Sequence, residues 1–164
     1  MNIVKIESPN FSKKVKSIRN ACRAILIKGN KILIGYGKKE DFYIIPGGGI
    51  ENNETYLDCC KREVLEETGI VCKPIINYLN IETFFLDRNH NHHYFYCEIL
   101  EENHETNFTQ EEVDADLRFE WIEINKILDI FSEYDKFIET FEPKYLLYKR
   151  EYIAIKTYVD KYMK

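Results

Sequence analysis

The segment from Gly48 to Ile70 constrains this chain more than any other part of the sequence, because it joins a glycine-rich loop to a run of carboxylates at helical spacing. Three consecutive glycines, residues 47–49, allow the backbone to adopt angles that other residues avoid and to approach a ligand closely. Glu63, Glu66 and Glu67 follow at positions i, i+3 and i+4, which places their side chains within one turn on one face of a helix.

Carboxylates at this spacing raise one another's pKa unless a cation lies among them. A hard cation that prefers oxygen ligands satisfies the set, so the segment predicts a site for Mg²⁺, with Mn²⁺ as the alternative. A solvated acidic helix face is the purely structural interpretation. Arg62 borders the acidic cluster and is expected to orient Glu54 or Glu63 through bidentate hydrogen bonds.

The carboxylates lie on a helix that the sequence predicts over residues 55–68. Thr55 with Asp58 gives a start that resembles a capping box, and Gly69 is a favourable C-terminal stop. The face that seats this helix on the core is expected to consist of Leu57, Cys60 and Val64.

Apolar runs predict β-strands at residues 21–27, 31–36, 42–45, 76–86, 94–100 and 118–124. The first two are expected to form a hairpin around Lys28, Gly29 and Asn30. Helix is expected to resume near Asn125. A polar turn is expected to join the fourth and fifth strands and to expose three histidines rather than use them as metal ligands: His90, His92 and His93.

Size and composition indicate one globular domain over residues 1–164, with an N-terminal segment at 1–18 and a C-terminal helix at 140–164. The net charge of −5 argues against a nucleic-acid partner. No apolar run approaches the ~18 residues of a membrane span, so we expect no membrane partner and a cytoplasmic protein. Five cysteines without a CxxC pair indicate reduced, mostly buried thiols.

The C-terminal helix carries an apolar stripe that is rich in tyrosine. Its members recur at spacings of three and four: Tyr145, Tyr148, Tyr152, Ile155, Val159 and Tyr162. The stripe is interpreted as packing on its own domain, and a homodimer formed through this helix is the alternative.

The pattern Gly-x5-Glu-x7-Arg-Glu-aliphatic-x-Glu-Glu-x-Gly-aliphatic, which Gly48 to Ile70 satisfies at every position, resembles the signature box of the Nudix hydrolases. Asn53 stands where many members carry glycine, and we expect it to adopt the left-handed conformation that asparagine tolerates. The resemblance extends to the preceding RAILIKGNKILIGYG and the later FEWIEINKI. It implies an α/β fold, an α/β/α sandwich around a mixed β-sheet, with the C-terminal helix as an addition.

By this resemblance the chain is expected to hydrolyse a nucleoside diphosphate linked to a further group X, with water attacking a phosphorus atom. The implied metal ligands are Glu63, Glu66, Glu67 and the carbonyl of Gly47. The general base is expected either from the box, as Glu63 or Glu66, or from the later acidic loop that contains Glu111, Glu112 and Asp114, where Glu112 is slightly favoured. Arg62 is expected to support the catalytic carboxylates.

Several residues outside the carboxylate cluster are candidates for contact with a small nucleotide. Arg19 and Arg23 could meet phosphate or a base edge, Phe42 and Tyr43 could stack on a base, and Gly48 allows close approach. The family's usual marker residues for ADP-ribose and for diadenosine polyphosphates are both absent, which favours a nucleoside triphosphate or a less common diphosphate. A nucleotide sensor without turnover is the rival hypothesis, and the complete set of box carboxylates argues against it.

Overall fold

The computed structural model of the chain describes residues 3–164. Its elements, in chain order, are β1 (Ile3–Glu7), β2 (Ser17–Ile25), β3 (Ile27–Lys28), β4 (Lys31–Gly37), β5 (Phe42–Ile44), α1 (Tyr56–Thr68), β6 (Val71–Phe85), β7 (Arg88–Glu101), α2 (Gln110–Asp114), β8 (Leu117–Glu123), α3 (Ile124–Ser132), a 3-10 helix (Glu133–Phe137) and α4 (Glu142–Tyr162).

The strands form two four-stranded sheets. The first has the order β1-β6-β7-β2 and is mixed: β6 and β7 are antiparallel, whereas β1 runs parallel to β6 and β2 runs parallel to β7. In the second sheet β4 pairs antiparallel with β3, β5 and β8. The predicted mixed sheet is confirmed.

Helices cover both faces of the first sheet. Successive side chains of a strand point to opposite faces, so the same strand contributes residues to the core on each side. On one face Cys22 and Ala24 of β2 pack with Cys60 and Val64 of α1. On the other face the core joins Ile25, Ile81 and Tyr94 to buried residues of α3 and α4. This arrangement confirms the α/β/α sandwich and the additional C-terminal helix.

The predicted strand at residues 21–27 belongs to two different sheets. Residues 21–25 lie in β2, whereas Ile27 and Lys28 form β3 and make the expected hairpin with β4 around Gly29, whose φ is +59°. The chain therefore crosses from one sheet to the other at Leu26. The sequence gives no sign of this break, because residues 21–27 form one continuous apolar run. The predicted N-terminal segment, residues 1–18, contributes strand β1 and the first two residues of β2, although Met1 and Asn2 lie outside the described residues.

The assignment of the three histidines to an exposed turn was wrong. The turn between β6 and β7 consists of Leu86 and Asp87 alone, and the histidines lie on β7. His92 is 3% exposed, and His93 stacks on Tyr56 with ring centroids 3.7 Å apart. Partners on both neighbouring strands, β2 and β6, extend the ladder through this polar segment.

Helix α1 begins and ends as predicted. The hydroxyl of Thr55 accepts a hydrogen bond from the Asp58 amide at 3.1 Å, and Gly69 closes the helix in the left-handed conformation. The predicted seating face needs one correction: Cys60 and Val64 are buried, but Leu57 is 47% exposed, and Cys59 takes its place in the core.

Helix α4 packs on the protein itself, as the first interpretation of its stripe predicted. Tyr145, Tyr148 and Ile155 are buried in the core shared with the first sheet, while Tyr162 at the end of the helix is exposed. Dimerisation through this helix stays a hypothesis. Among residues 3–164, no helix combines the length and the apolar character needed to cross a membrane.

All five cysteines are free and buried, as predicted: Cys22, Cys59, Cys60, Cys72 and Cys97. They belong to one apolar cluster between α1 and the first sheet.

Candidate active site

A cleft of about 580 Å³ lies between the glycine-rich loop, strand β2, helix α1 and helix α2. Its volume falls within the range typical of small-molecule sites. The side chains and loop residues around it include Arg19, Arg23, Lys39, Glu40, Phe42, Gly47, Gly48, Gly49, Glu63, Glu67, Thr109, Glu111, Glu112 and Asp114.

The glycine-rich loop is fixed against the edge of β2 by backbone hydrogen bonds. The Cys22 amide donates to the Gly48 carbonyl at 3.0 Å, and the Ala24 amide donates to the Pro46 carbonyl at 2.8 Å. Gly47 has a φ of +143°, and a Cβ there would collide with the backbone of Cys22. A Cβ at Gly48 would meet the carboxylate of Glu63. Glycine is therefore required at both positions, because the loop lies directly on the strand and on the acidic helix face.

Glu67 is the most deeply buried carboxylate in the cleft, with 5% of its surface exposed. Its Oε2 accepts a hydrogen bond from the Gly47 amide at 2.8 Å, which couples helix α1 to the glycine-rich loop. Burial raises the pKa of Glu67 well above its usual value, and the charges of Glu63 and Glu112 act in the same direction, against the opposing effect of Arg23. Such a group favours a nearby positive charge.

Arg62 organises the neighbouring carboxylates, as predicted. Its Nε and Nη2 donate to the two oxygens of Glu54 at 2.7 and 2.9 Å, and Nη1 donates to Glu63 at 2.8 Å. Nη2 also reaches the Gly49 carbonyl at 3.1 Å. Burial raises the pKa of Glu63, while Arg62 opposes that shift. The guanidinium thus ties the loop, the start of α1 and the acidic turn into one unit.

Glu112 reaches the cluster from the opposite wall on the short helix α2. The hydroxyl of Thr109 accepts from the Glu112 amide at 3.3 Å, and the Thr109 amide donates to the Glu112 carboxylate at 2.9 Å. This reciprocal pair is a capping box. One oxygen each from Glu63, Glu67 and Glu112 lies within 4.8 Å of the others.

The three clustered carboxylates fit a hard divalent cation. They supply oxygen ligands only, they come from two elements, and the burial of Glu67 means that a cation would offset the energetic cost of charge there. Glu66, a predicted ligand, is outside the cluster: its Oε2 accepts from Arg62 Nη1 at 3.2 Å. The predicted carbonyl of Gly47 accepts from Arg23 Nη1 at 2.9 Å.

The predicted substrate contacts line the same cleft. Arg23 is 9% exposed and also donates to the Ile45 carbonyl at 3.1 Å, whereas Arg19 is exposed and lies beside Gly49. Phe42 forms part of the apolar wall. Tyr43 pairs with Tyr36 at a centroid distance of 4.7 Å rather than lining this cleft.

Sequence reasoning missed three polar residues of the cleft, Lys39, Glu40 and Thr109. Thr109 was detectable, because Thr109 followed by Glu112 three residues later has the spacing of a capping box. Lys39 and Glu40 lie in the turn between β4 and β5, where polar residues give no specific functional signal.

Comparison with known proteins gives consistent results. The NUDIX domain family model matches residues 18–141. The mRNA-decapping enzyme subunit 2 of Saccharomyces cerevisiae strain YJM789 is 38% identical over 80 residues, as is the m7GpppN-mRNA hydrolase of strain S288c. These matches cover 48% of this chain but only 8% of either yeast protein.

The fold also matches solved structures. A NUDIX hydrolase from Nitrosomonas europaea aligns with a TM-score of 0.56 and 19% identity, covering 66% of this chain and 74% of the other. The Escherichia coli ORF135 protein aligns with a TM-score of 0.53 and 19% identity, covering 69% and 79%. The signature segment, the cleft built around it and the family match over residues 18–141 together show that this chain belongs to the NUDIX domain family.

Proposed function

We propose that this protein is a Mg²⁺-dependent pyrophosphohydrolase that cleaves a nucleoside diphosphate linked to a further group X. The observation that carries the proposal is the convergence of Glu63, Glu67 and Glu112 beside the glycine-rich loop in a cleft that also contains arginines. Carboxylates bind a cation, and arginines donate hydrogen bonds to phosphate oxygens. The cleft therefore offers complementary charge to a diphosphate with a bound metal ion.

Glu63, Glu67 and Glu112 would hold the metal, with Glu66 available one turn away. When bound, Mg²⁺ would neutralise charge on the diphosphate oxygens and lower the pKa of an attacking water. Mn²⁺ would fit the same oxygen ligands.

We assign the role of general base to Glu63. The Glu63 carboxylate lies directly against Gly48 of the glycine-rich loop, where the diphosphate would bind, so it is placed to accept a proton from an attacking water. Arg62 fixes the Glu63 side chain through a hydrogen bond of 2.8 Å, so that the carboxylate is oriented before substrate arrives. Glu112 is the alternative base, because it lies in the same cluster on the facing wall.

Arg19 and Arg23 would bind phosphate oxygens, Phe42 would contact the base, and the glycines at 47–49 would let the diphosphate approach the backbone. The five free thiols suit a cytoplasmic setting. The continuous core that links β1 to α4 supports a single domain over the described residues.

A substrate panel tests the proposal. The purified protein would be incubated with Mg²⁺ and nucleoside triphosphates, ADP-ribose, UDP-sugars, dinucleoside polyphosphates, NADH or m7GpppN-capped RNA, and the phosphate products would be quantified. The capped RNA is included because of the names of the yeast relatives.

We expect turnover of at least one small nucleotide, and a loss of at least about 100-fold in kcat for Glu67→Gln. Glu120→Gln, at an exposed position of strand β8 that does not line the cleft, is the matched control and should retain activity. Tight nucleotide binding without turnover would contradict the proposed enzyme and favour the rival hypothesis of a nucleotide sensor. Turnover of capped RNA alone would be consistent with the proposed reaction but would contradict the expectation of a small-nucleotide substrate.

A further inference from the structure

A second pocket of about 210 Å³ lies between the first sheet and helix α4, outside the carboxylate cleft. Its apolar walls come from Phe85, Pro143 and Leu146. Its polar lining consists of Thr83, Arg88, His90 and Arg150. No acidic residue lines this pocket among the described residues.

Arg150 is the buried cationic group of the pocket. Its side chain is only 8% exposed and is held by contacts on two sides. Its Nε donates to Glu151 Oε1 at 3.0 Å, and its Nη1 lies 3.2 Å from His92 Nε2. Glu151 in turn accepts from the Tyr94 hydroxyl and the Ile45 amide, both at 2.6 Å. The guanidinium is therefore held in one position before any ligand binds.

The charged side chains that line the pocket are both arginines, Arg88 and Arg150. Arg19, Arg88 and Arg150 all act on His90 and lower its pKa, after the larger effect of burial. Glu151 offsets Arg150. Arg23, which also acts on His90, is balanced by the cleft carboxylates, as its effect on Glu67 shows. Arg19 and Arg88 remain without an ion pair within residues 3–164. An anion would complete this set.

The pocket adjoins the cleft. Arg19 of β2 lines the cleft, and its register partner on β7 is His90, which lines the pocket. Neighbouring strands lie about 4.8 Å apart. Side chains at positions 19 and 90 share the face that α4 covers. A ligand whose diphosphate occupies the cleft could therefore extend a further group across Arg19 into the pocket.

We propose that this pocket binds a phosphate monoester carried by the substrate at a distance from the scissile diphosphate. The preferred substrates are then nucleoside diphosphates that bear an additional phosphate group on the nucleoside or on X. This inference rests on the proposed function, since that function places the diphosphate in the cleft. Apolar walls strengthen the attraction by excluding water around the charges.

Pairs of ligands that differ by one phosphate monoester test the inference: NADP⁺ against NAD⁺, and coenzyme A against dephospho-coenzyme A. Binding would be measured by calorimetry on Glu67→Gln protein, in which turnover is expected to be at least about 100-fold slower, at a Mg²⁺ concentration high enough to offset its weaker metal binding. We expect the phosphorylated member of at least one pair to bind at least about tenfold more tightly.

Arg88→Gln in the same background should abolish most of this preference, and Arg88→Lys should restore part of it. Arg88 is exposed at the start of β7, so its replacement leaves the core intact. Arg118→Gln is the matched control: Arg118 is 83% exposed and lines neither cavity. It should leave the preference unchanged. Inorganic phosphate should weaken binding of the phosphorylated ligand more than that of its partner.

Equal affinities within both pairs would overturn the inference, and so would a preference that Arg88→Gln does not alter. Arg88-dependent binding of inorganic phosphate, with no preference within either pair, would also overturn it, because the pocket would then take a free anion. Hydrolysis by the unsubstituted protein is scored separately. Turnover without a phosphate preference would refute only this inference, whereas a preference without turnover of any ligand would refute only the proposed reaction.

Discussion

Glu67 illustrates how single residues set the chemistry of the cleft. Its carboxylate is almost fully buried, accepts one backbone hydrogen bond and lies close to two further carboxylates. Such an arrangement is costly without a cation, because each buried negative charge destabilises the next. The positions of Glu63 and Glu67 were predictable from sequence, since spacing along a helix fixes their common face. The approach of Glu112 from a separate element was only one of several alternatives.

The protonation state of His92 follows from its contact with Arg150. Arginine can only donate hydrogen bonds, so the contact between Arg150 Nη1 and His92 Nε2 requires an unprotonated Nε2. His92 is then neutral, with its proton on Nδ1. Burial lowers the pKa of His92 well below its usual value, and Arg150 adds to the effect.

This neutral state predicts a pH-dependent stability. Below pH of about 6.5 the unfolded chain binds a proton at His92 that the folded chain does not, so the free energy of unfolding falls as pH falls. The contribution approaches about 1.4 kcal/mol per pH unit. Urea unfolding at pH 7.5 and pH 5.5 should show a smaller loss for His92→Gln than for the unsubstituted protein. His104→Gln, at an exposed site, should behave like the unsubstituted protein, and equal losses in all three proteins would contradict the prediction.

At the scale of elements, α4 supports the cleft although it contributes no residue to it. Glu151, which is fully buried on α4, accepts from the Ile45 amide immediately before the glycine-rich loop and from Tyr94 on β7. One carboxylate therefore joins α4, the end of β5 and the first sheet.

Replacing this carboxylate should be costly. Glu151→Ala leaves Arg150 as a buried charge without its partner and leaves the Ile45 amide unsatisfied, so we expect the free energy of unfolding to fall by about 3–5 kcal/mol. Asp160→Ala on the same helix removes an exposed ion pair with Lys156 and should leave the free energy of unfolding almost unchanged. Chemical denaturation measures both. Similar small losses for the two variants would show that Glu151 does not anchor the helix.

Elements differed in how far the sequence determined them. Helix α1 was predicted almost to the residue, because Thr55 and Gly69 carry its start and stop signals locally. The polar half of β7 was not predicted, because its strand structure depends on partners on β2 and β6 that are distant in sequence. The Arg150–Glu151 network was not predicted for the same reason. Both residues interrupt an apolar stripe of α4, and their hydrogen-bond partners, His92 and Tyr94, are distant in sequence.

For the whole molecule, the α/β/α architecture places two cavities side by side: a cleft that combines arginines with the acidic cluster, and a pocket whose charged lining consists of arginines. The overall charge of −5 therefore conceals a local concentration of arginine. Composition could not reveal this separation, since it reports a sum over the surface, whereas phosphate recognition depends on the local charge.

The most direct test of the account is Mn²⁺ binding, measured by electron paramagnetic resonance in the absence of nucleotide. We predict that the unsubstituted protein binds Mn²⁺, that Glu67→Gln and Glu112→Gln each bind it at least about tenfold more weakly, and that Mg²⁺ competes for the site. Glu111→Gln, one residue from Glu112 but outside the carboxylate cluster, should bind like the unsubstituted protein. Mn²⁺ affinity that is unchanged in both Glu67→Gln and Glu112→Gln would contradict the claim that these carboxylates form the metal centre.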